Sequence, residues 1–488
     1  MDADFRHACH ELSCGRTGRR PEPYGTSDTR QWDRTPTLPH RPHHHSNRRT
    51  KHSAGHCRVL QLPFRRMGFN VMSYFLVFFA LLLQSPSLDS ASPKERQSAV
   101  EQMAVLGNRA AIPQLAAALK KEPKSDVRAS IVAALGRIRD RESVPILADT
   151  LRGDLDKDVR LQAIDSLLRL YIPIEDSGPV RTIFNRVRSV FVSPDAPVIG
   201  PEVQVDASAR EALAGAMQKD FNDEVRAEAA RALGILKAKD QVLLLVAALE
   251  DPQNREHPGV RVQVAHALGV IRDPAAGPAL EKTLRDPDQK VAQEAILAIG
   301  LTAYAPARAV VEQIFRTDPN RTIKSRALEA LSLMHDKANI PVFESLLNDK
   351  NDYYRELSAE GLARMQYDAK GWKQVYEQER RPNVRNALAF GLAASGDLDY
   401  MNDLANGLSG RQAYQVEVYL FELGKYDGKL GELYRYLRSS DPKVRAGIVR
   451  IIGNIGDPSS LDQIRPLQND SSADVVREAV NAIRKMSR

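Results

Sequence analysis

The chain has 488 residues, more than one compact core usually supports, so several domains or a repeat array are expected. Its 69 Lys and Arg against 62 Asp and Glu give a formal net charge of +7. Residues 1–66 hold 13 of the basic and 6 of the acidic residues, so the remainder holds 56 of each and is neutral overall. This balance argues against nucleic acid as the partner of the folded part.

The first 66 residues differ in composition from the rest of the chain. All three cysteines lie there, which excludes a disulfide framework, a cysteine-ligated zinc site and a cysteine nucleophile from the remainder. The segment is rich in Arg, His, Pro, Ser and Thr and has no apolar periodicity, so 1–66 is predicted to be a disordered basic extension. His43-His44-His45 could coordinate a metal, but unstructured chain is the preferred interpretation.

Residues 67–91 are predicted to be a signal peptide or a membrane anchor. Val71–Leu83 is a run of 13 mostly apolar residues that follows Arg65 and Arg66, with small residues at Ser85 and Ser87. This order is typical of a secretory signal, and the run is shorter than the ~20 residues that span a bilayer. We therefore expect an exported protein, periplasmic or extracellular, whose natural start lies nearer Met67. The alternative is an uncleaved anchor, with membrane contact only through residues 68–83.

From about residue 92 onward the chain repeats itself. An acid or proline turn precedes an apolar-Arg pair, as in Val127-Arg128, and an Ala-rich amphipathic stretch follows it, ending near a glycine such as Gly136. The residue before the arginine, or its equivalent, serves as an anchor. The anchors are 95, 127, 159, 225, 260, 291, 323, 354, 384, 414, 444 and 476. Their spacing is 30–35 residues except for one gap of 66, which indicates a repeat architecture.

Each repeat is predicted to contain two helices. In residues 126–138 the apolar side chains follow the 3.6-residue period of a helix. Val144–Leu151 is predicted to form a second, shorter helix. We expect the acid before the anchor to cap the first turn and glycines such as Gly136 to end the helix with positive φ. Neither helix can cover its apolar stripe alone, so neighbouring units must stack. The predicted fold class is all-α, a right-handed α-solenoid (superhelix) of about eleven to twelve helix pairs.

This pattern resembles the HEAT repeat, and most closely the short HEAT-like repeats associated with phycobilisome lyases. The resemblance implies that the Arg-bearing helix lines the concave side and that its Asp and Arg bond between adjacent units. Asp126/Arg128 and Asp158/Arg160 match that pattern. Units that depart from it should be weaker or specialised: Glu95-Arg96, Val291-Ala292 and Ala413-Tyr414.

The gap of 66 predicts an inter-repeat insertion at 171–205, between HEAT-like repeats over 92–170 and 206–488. Within it, Val180–Phe191 has apolar residues at helical spacing. One interpretation is a docking element in which Phe184 accompanies three cations offered to an anionic group: Arg181, Arg186 and Arg188. The alternative is a short helix folded back over the apolar edge of the solenoid, because its phenylalanines need burial.

Ten of the fourteen tyrosines lie between residues 353 and 436. Tyrosine and tryptophan supply large, rigid contact area, so Tyr353, Tyr354 and Trp372 are candidate binding residues. The alternative is that these units simply pack with larger side chains, which we expect for Tyr419 and Tyr436.

Few residues suggest catalysis, a metal or a cofactor. The repeats contain three scattered histidines, His257, His266 and His335, too few for the paired His-Glu motifs of HEAT-like deoxyhypusine hydroxylases. Glycine-rich phosphate loops and Gly-x-Ser-x-Gly motifs are lacking. We therefore expect no catalytic residues, no metal and no cofactor, and a non-enzymatic scaffold that binds a protein or peptide partner in the cell envelope. The alternative is a HEAT-like enzyme of the lyase or hydroxylase type, or an accessory factor to one.

Overall fold

The computed structural model describes residues 87–105, 107–172, 203–368 and 371–487. The chain divides into two compact units, Met1–Leu76 and Val77–Arg488, and every described residue belongs to the second. The predictions for 1–66, for most of 67–91 and for residues 173–202 of the insertion therefore lie outside the described residues. Among the described helices, none combines the length and the apolar character needed to cross a membrane.

The described residues form 23 α-helices and no β-strand. The odd-numbered helices are α1 Pro93–Val105, α3 Ser125–Ile138, α5 Lys157–Tyr171, α7 Asp223–Ile235, α9 Pro258–Ile271, α11 Gln289–Thr302, α13 Arg321–Leu333, α15 Asp352–Arg364, α17 Pro382–Ser395, α19 Ala413–Gly424, α21 Pro442–Ile455 and α23 Ala473–Met486. The even-numbered helices are α2 Ile112–Lys121, α4 Ser143–Gly153, α6 Ala207–Lys219, α8 Val242–Glu250, α10 Gly277–Thr283, α12 Arg308–Thr317, α14 Ile340–Leu346, α16 Trp372–Gln378, α18 Tyr400–Gly407, α20 Leu430–Leu433 and α22 Leu461–Ile464.

Each odd-numbered helix contains one of the twelve predicted anchors, and consecutive odd helices pack side by side. Each even helix packs against the odd helix that follows it. The anchor valines Val127, Val159 and Val225 are at most 1% exposed, and one hydrophobic core runs from Val100 to Met486. The predicted all-α solenoid of helix pairs is thereby confirmed, while the right-handed sense of the superhelix stays a prediction.

The N-terminal caps lie three residues before the anchors rather than one. Asp156, Asn222 and Asp441 accept hydrogen bonds from the first free N–H groups of α5, α7 and α21. The predicted cap is therefore correct where the acid precedes a proline, as in Asp441, and wrong where it directly precedes the anchor, as in Asp126 and Asp158. That acid, such as Asp158, already lies in the first helical turn, where its charge favours the positive end of the helix dipole.

Most of the repeat glycines do not end their helices. Gly136 and Gly300 lie inside α3 and α11, and the residues that follow these helices, Arg139 and Ala303, have φ of 57° and 49°. A Cβ on Gly300 would stand 2.5 Å from the Cα of Ala330 on α13. Glycine is thus required for the close approach of neighbouring odd helices, and the predicted role in helix termination is correct only for units such as that of Gly456, with φ of 77°.

The row of odd-numbered helices and the row of even-numbered helices both continue across the insertion. Helix α4 packs against α6, and α5 packs against α7, although residues 173–202 separate α5 from α6 in sequence. The Tyr171 hydroxyl donates to Asp206 Oδ2 at 2.7 Å, which joins the chain before and after the insertion. Arg139 and Arg141 donate to the carbonyls of Ile172 and Gln204. The helices on the two sides of the insertion therefore pack directly against each other.

Candidate functional site

A ladder of arginines joins the turns that precede the odd helices. In each rung the guanidinium of an odd helix binds a carboxylate in the turn before the next odd helix. Arg128, for example, donates to both carboxylate oxygens of Asp154 at 2.8 and 2.9 Å, and also to the carbonyls of Glu122 and Pro123 at 3.4 and 3.2 Å. Six arginines pair in this way, namely Arg96, Arg128, Arg160, Arg261, Arg355 and Arg445.

The arginine ladder corrects the expected partners. The predicted acids Asp126 and Asp158 are exposed at the helix starts, whereas the bound acid lies about 26 residues beyond its arginine in the next unit. Arg96 makes the regular pair with Glu122, so the first unit does not depart from the pattern as expected. The hydrogen bond from Arg96 lowers the pKa of Glu122, and the one from Arg445 lowers that of Asp470.

The other six described units lack this regular pair, and the residues at their arginine position are Arg226, Ala292, Lys324, Arg385, Gln415 and Arg477. Arg226 binds Asn254 through Nε at 3.0 Å. Arg385 donates to the Tyr376 carbonyl at 2.7 Å, and its guanidinium lies 3.9 Å from the centroid of the Tyr376 ring. Ala292 is too short to reach the next turn. The ladder is therefore regular in the first three units, and beyond them the regular pairs of Arg261, Arg355 and Arg445 are interspersed with modified units.

In α19 the arginine position is taken by Gln415, whose amide turns toward the odd helices. Its Nε2 donates to Glu356 Oε1 at 2.6 Å and to the Tyr419 hydroxyl at 2.8 Å. The Tyr419 hydroxyl donates to Glu360 Oε1 at 2.5 Å. Asn383 of α17 also donates to Glu356. These bonds connect α15, α17 and α19 across one face of the row of odd-numbered helices, which we call the odd-row face.

Three carboxylates form the centre of this face, and we call Glu329, Glu356 and Glu360 the carboxylate cluster. Burial and the negative charge of Glu360 raise the pKa of Glu356 to about 7. Burial is also the main cause that raises the pKa of Glu329, although the adjacent Arg326 at 2.7 Å opposes it. Like charges in a desolvated site favour the protonated form. Glu329 and Glu360 pair with Arg326 and Arg364, whereas Glu356 accepts from the neutral amides of Asn383 and Gln415, so its charge is the least compensated of the three.

One buried cation lies beside the cluster. Arg364 binds Glu422 at 3.0 Å and Glu360 at 3.2 Å, and it is almost fully buried. Burial disfavours its charge, but the carboxylates of Glu422 and Glu360 outweigh that effect and raise the pKa of Arg364. Arg364 is therefore held as a cation, and its charge is shared between two carboxylates.

The structure places only some of the predicted binding residues at this face. Tyr353 is partly buried, and its hydroxyl donates to Glu329 Oε2 at 3.4 Å. Tyr354 is also partly buried and packs edge-on against Phe315, with ring centroids 5.7 Å apart. Trp372 is 2% exposed and lies against Gly391, so it offers almost no surface to a partner. The insertion residues Arg181, Phe184, Arg186 and Arg188 lie outside the described residues.

The other tyrosines divide between the interior and the surface. Tyr419 is 1% exposed and stacks on Phe390, so its predicted inward orientation is confirmed. Tyr436 is partly buried, and Tyr414 is 55% exposed. The carboxylate cluster itself was not predicted. Its sequence signal was the pair Glu356 and Glu360, which lie four residues apart on one helix face, together with Gln415 in place of arginine.

The three histidines of the repeats lie in separate places. His266 Nδ1 is 2.8 Å from Glu294, His257 Nδ1 is 3.2 Å from Asp223, and His335 has φ of 50° after α13. Burial lowers the pKa of His335. Across 87–105, 107–172, 203–368 and 371–487, no group of three or more His, Cys, Asp or Glu side chains has an arrangement that could hold a metal ion.

Comparison with protein-family models identifies the repeats. The model described as HEAT repeats matches residues 83–168, 210–300, 278–363 and 429–487, which together make up more than half of the chain. The chain belongs to the HEAT-repeat family. The matched ranges of this HEAT-repeat protein cover both sides of the insertion. A search of curated proteins gave no significant match.

Several solved structures match the chain at low sequence identity. An engineered protein is 19% identical, with a TM-score of 0.34, over 82% of this HEAT-repeat chain and 97% of its own. A structure of Kap95p with RanGDP is 15% identical, with a TM-score of 0.41, over 82% and 54%. Human deoxyhypusine hydroxylase is 16% identical, with a TM-score of 0.25, over 71% and 96%. The family assignment therefore depends on the family model alone.

Proposed function

We propose that this HEAT-repeat chain is a non-enzymatic scaffold that binds a basic segment of a protein or peptide partner on the odd-row face of α13, α15, α17 and α19. The observation that supports this function is the carboxylate cluster. Glu356 is bonded to two neutral amides rather than to a cation, and Glu360 adds a second negative charge nearby. A cationic partner segment would compensate this charge at a partly desolvated face.

The groups around the cluster support binding rather than chemistry. Glu356 accepts from the amides of Asn383 and Gln415, and Glu360 accepts from the Tyr419 hydroxyl and from Arg364. Tyr353, near the start of α15, and the more exposed Tyr414, near the start of α19, supply aromatic area. A rigid polar network with aromatic edges is suited to recognising an extended polypeptide by shape and charge along many helices.

We further infer that the scaffold works in the cell envelope. The support is in the sequence, where Val71–Leu83 follows Arg65 and Arg66 in the order of a secretory signal. The short spacing of 30–35 residues between most anchors supports a relation to the repeats associated with phycobilisome lyases. Detection of the chain in fractionated cells tests the location, and a purely cytosolic distribution would contradict it.

The binding function is tested with an array of twelve-residue peptides that differ in net charge. Peptides with several Lys or Arg should bind the full chain, and their affinity should fall as salt rises. The variant Glu356→Gln/Glu360→Gln should lose most of this binding, while Glu377→Gln, which changes an exposed acid on α16, should keep it. Equal binding by both variants, or a preference for acidic peptides, would refute the proposal.

A further inference from the structure

A cavity of about 310 Å³ lies where the arginine ladder is interrupted. It is lined by Ala292 of α11, Ile314 of α12 and Ile323 of α13, and by Asp286 and Asp318 in the turns before α11 and α13. Ala292 stands at the repeat position that Arg128, Arg160 and Arg261 occupy in their units. The cavity therefore coincides with the volume that a guanidinium would fill in a regular unit.

The acceptors of a regular rung are present around this cavity. In the rungs of Arg128 and Arg160, the guanidinium binds an acid of the next turn and the carbonyls five and six residues before the arginine. Counted from Ala292, those carbonyls belong to Asp286 and Pro287, and the acid 26 residues later is Asp318. Both aspartates line the cavity.

The carboxylate of Asp318 has the orientation of the acids that do bind arginine. Its Oδ1 accepts the Asn320 N–H at 2.8 Å. The arginine-bound acids Asp154, Asp220 and Asp470 accept the N–H two residues later in the same way, at 2.9, 2.9 and 2.8 Å. Among the described residues, no ion pair of Asp318 is found. The acid is therefore pre-oriented for a guanidinium, and none of the described residues supplies one.

We infer that this cavity, which we call the open arginine slot, binds an arginine side chain presented by a partner polypeptide. The aliphatic part of that side chain would lie on Ala292, Ile314 and Ile323, and its guanidinium would donate to Asp318 and to the Asp286 carbonyl. Six rungs of the same chain provide the geometry of the complex. Arginine suits the slot better than lysine because its planar fork can bind a carboxylate and a carbonyl at once.

One residue at the rim opposes the ligand. Arg285 is exposed and belongs to the lining of the slot. Its positive charge repels an incoming guanidinium, so Arg285→Ala should tighten binding. The inference does not depend on the carboxylate cluster, because the slot lies at the turn edge of the repeats and uses different residues.

The test uses the full chain with isotope-labelled Ala and Ile methyl groups and Nα-acetyl-arginine methylamide as the probe. The methyl resonances of Ala292 and Ile314 should shift and saturate with this probe. The neutral citrulline analogue, which has nearly the same shape, should bind about tenfold or more weakly because it lacks the charge. Asp318→Asn should weaken the arginine probe by a similar factor.

A second variant fills the slot from within. Ala292→Arg should complete the rung, raise the melting temperature and abolish the probe-induced shifts at Ile314. Glu356→Gln should leave those shifts unchanged, which separates failure of the slot from failure of the proposed peptide-binding face. Equal binding of the arginine and citrulline probes, or a lower melting temperature for Ala292→Arg, would overturn the inference.

Discussion

Arg160 binds Asp220 across the insertion, with Nε and Nη2 at 2.7 and 2.9 Å from the two carboxylate oxygens. The two residues are 60 positions apart in sequence, yet their pairing has the geometry of rungs that join residues 26 positions apart. Both side chains are nearly inaccessible, with 3% and 6% exposure. The insertion therefore leaves the ladder intact.

Replacing Arg160 should destabilise the array strongly. Arg160→Met leaves the Asp220 carboxylate buried without its cation, and breaking a buried pair in this way costs about 3–5 kcal/mol. Urea unfolding followed by circular dichroism measures the loss. The matched control is Arg152→Ala, because Arg152 pairs with Asp149 at an exposed position and should change stability by less than about 1 kcal/mol. Equal effects of the two substitutions would show that the rung contributes no special stability.

Removing the insertion should separate its two possible roles. Replacing residues 174–201 by a short glycine–serine linker retains the Tyr171–Asp206 bond and the Arg160–Asp220 pair. We expect nearly unchanged helicity and melting temperature with loss of partner binding if the insertion is a docking element. A large drop in melting temperature would instead assign it the covering role.

The interior glycines should be intolerant of even one added methyl group. Gly300→Ala brings a Cβ to 2.5 Å from the Ala330 Cα, and the required shift of α13 should cost about 1–3 kcal/mol. Gly215→Ala on α6 is the matched control, since nothing lies within 4 Å of the added Cβ. That control should gain about 0.5–1 kcal/mol because alanine favours a helix interior. Thermal melting of both variants measures the contrast, and a stable Gly300→Ala variant would contradict the packing role.

The stability of the array should fall as pH rises through the range in which Glu356 ionises. Its folded-state pKa of about 7 lies above the ordinary value of 4.5, so the folded state binds more protons than the unfolded state between these values. Its contribution is thus most favourable below about pH 4.5 and is lost by about pH 8, with a magnitude of roughly 2–3 kcal/mol.

The pH effect is measured by urea unfolding of the wild type and of Glu356→Gln at pH 5, 6, 7 and 8. The substitution should flatten the decline and make the variant more stable than the wild type at pH 8. Glu377→Gln should reproduce the wild-type slope because that acid is exposed. Parallel curves for the wild type and Glu356→Gln would rule out the raised pKa as a source of the pH dependence.

The sequence was sufficient for the helix pairs because burial imposes the 3.6-residue period on every unit. Anchors such as Val225 are therefore recognisable without coordinates. The roles of Asp158 and Gly136 were misassigned, since a turn with several acids and a helix with one glycine permit more than one arrangement. The carboxylate cluster could not be predicted because Gln415 and Glu356 are 59 residues apart in sequence. Their contact depends on how successive odd helices pack.

The direction of the arginine ladder has a consequence for synthesis on the ribosome. Each guanidinium is made before the acid that it binds, while its backbone acceptors are already present a few residues earlier. In a newly synthesised repeat the arginine therefore lacks its carboxylate partner until the following repeat leaves the ribosome. For Arg160 the delay extends over the whole insertion, so nascent chains paused in that stretch should be the species most dependent on chaperones.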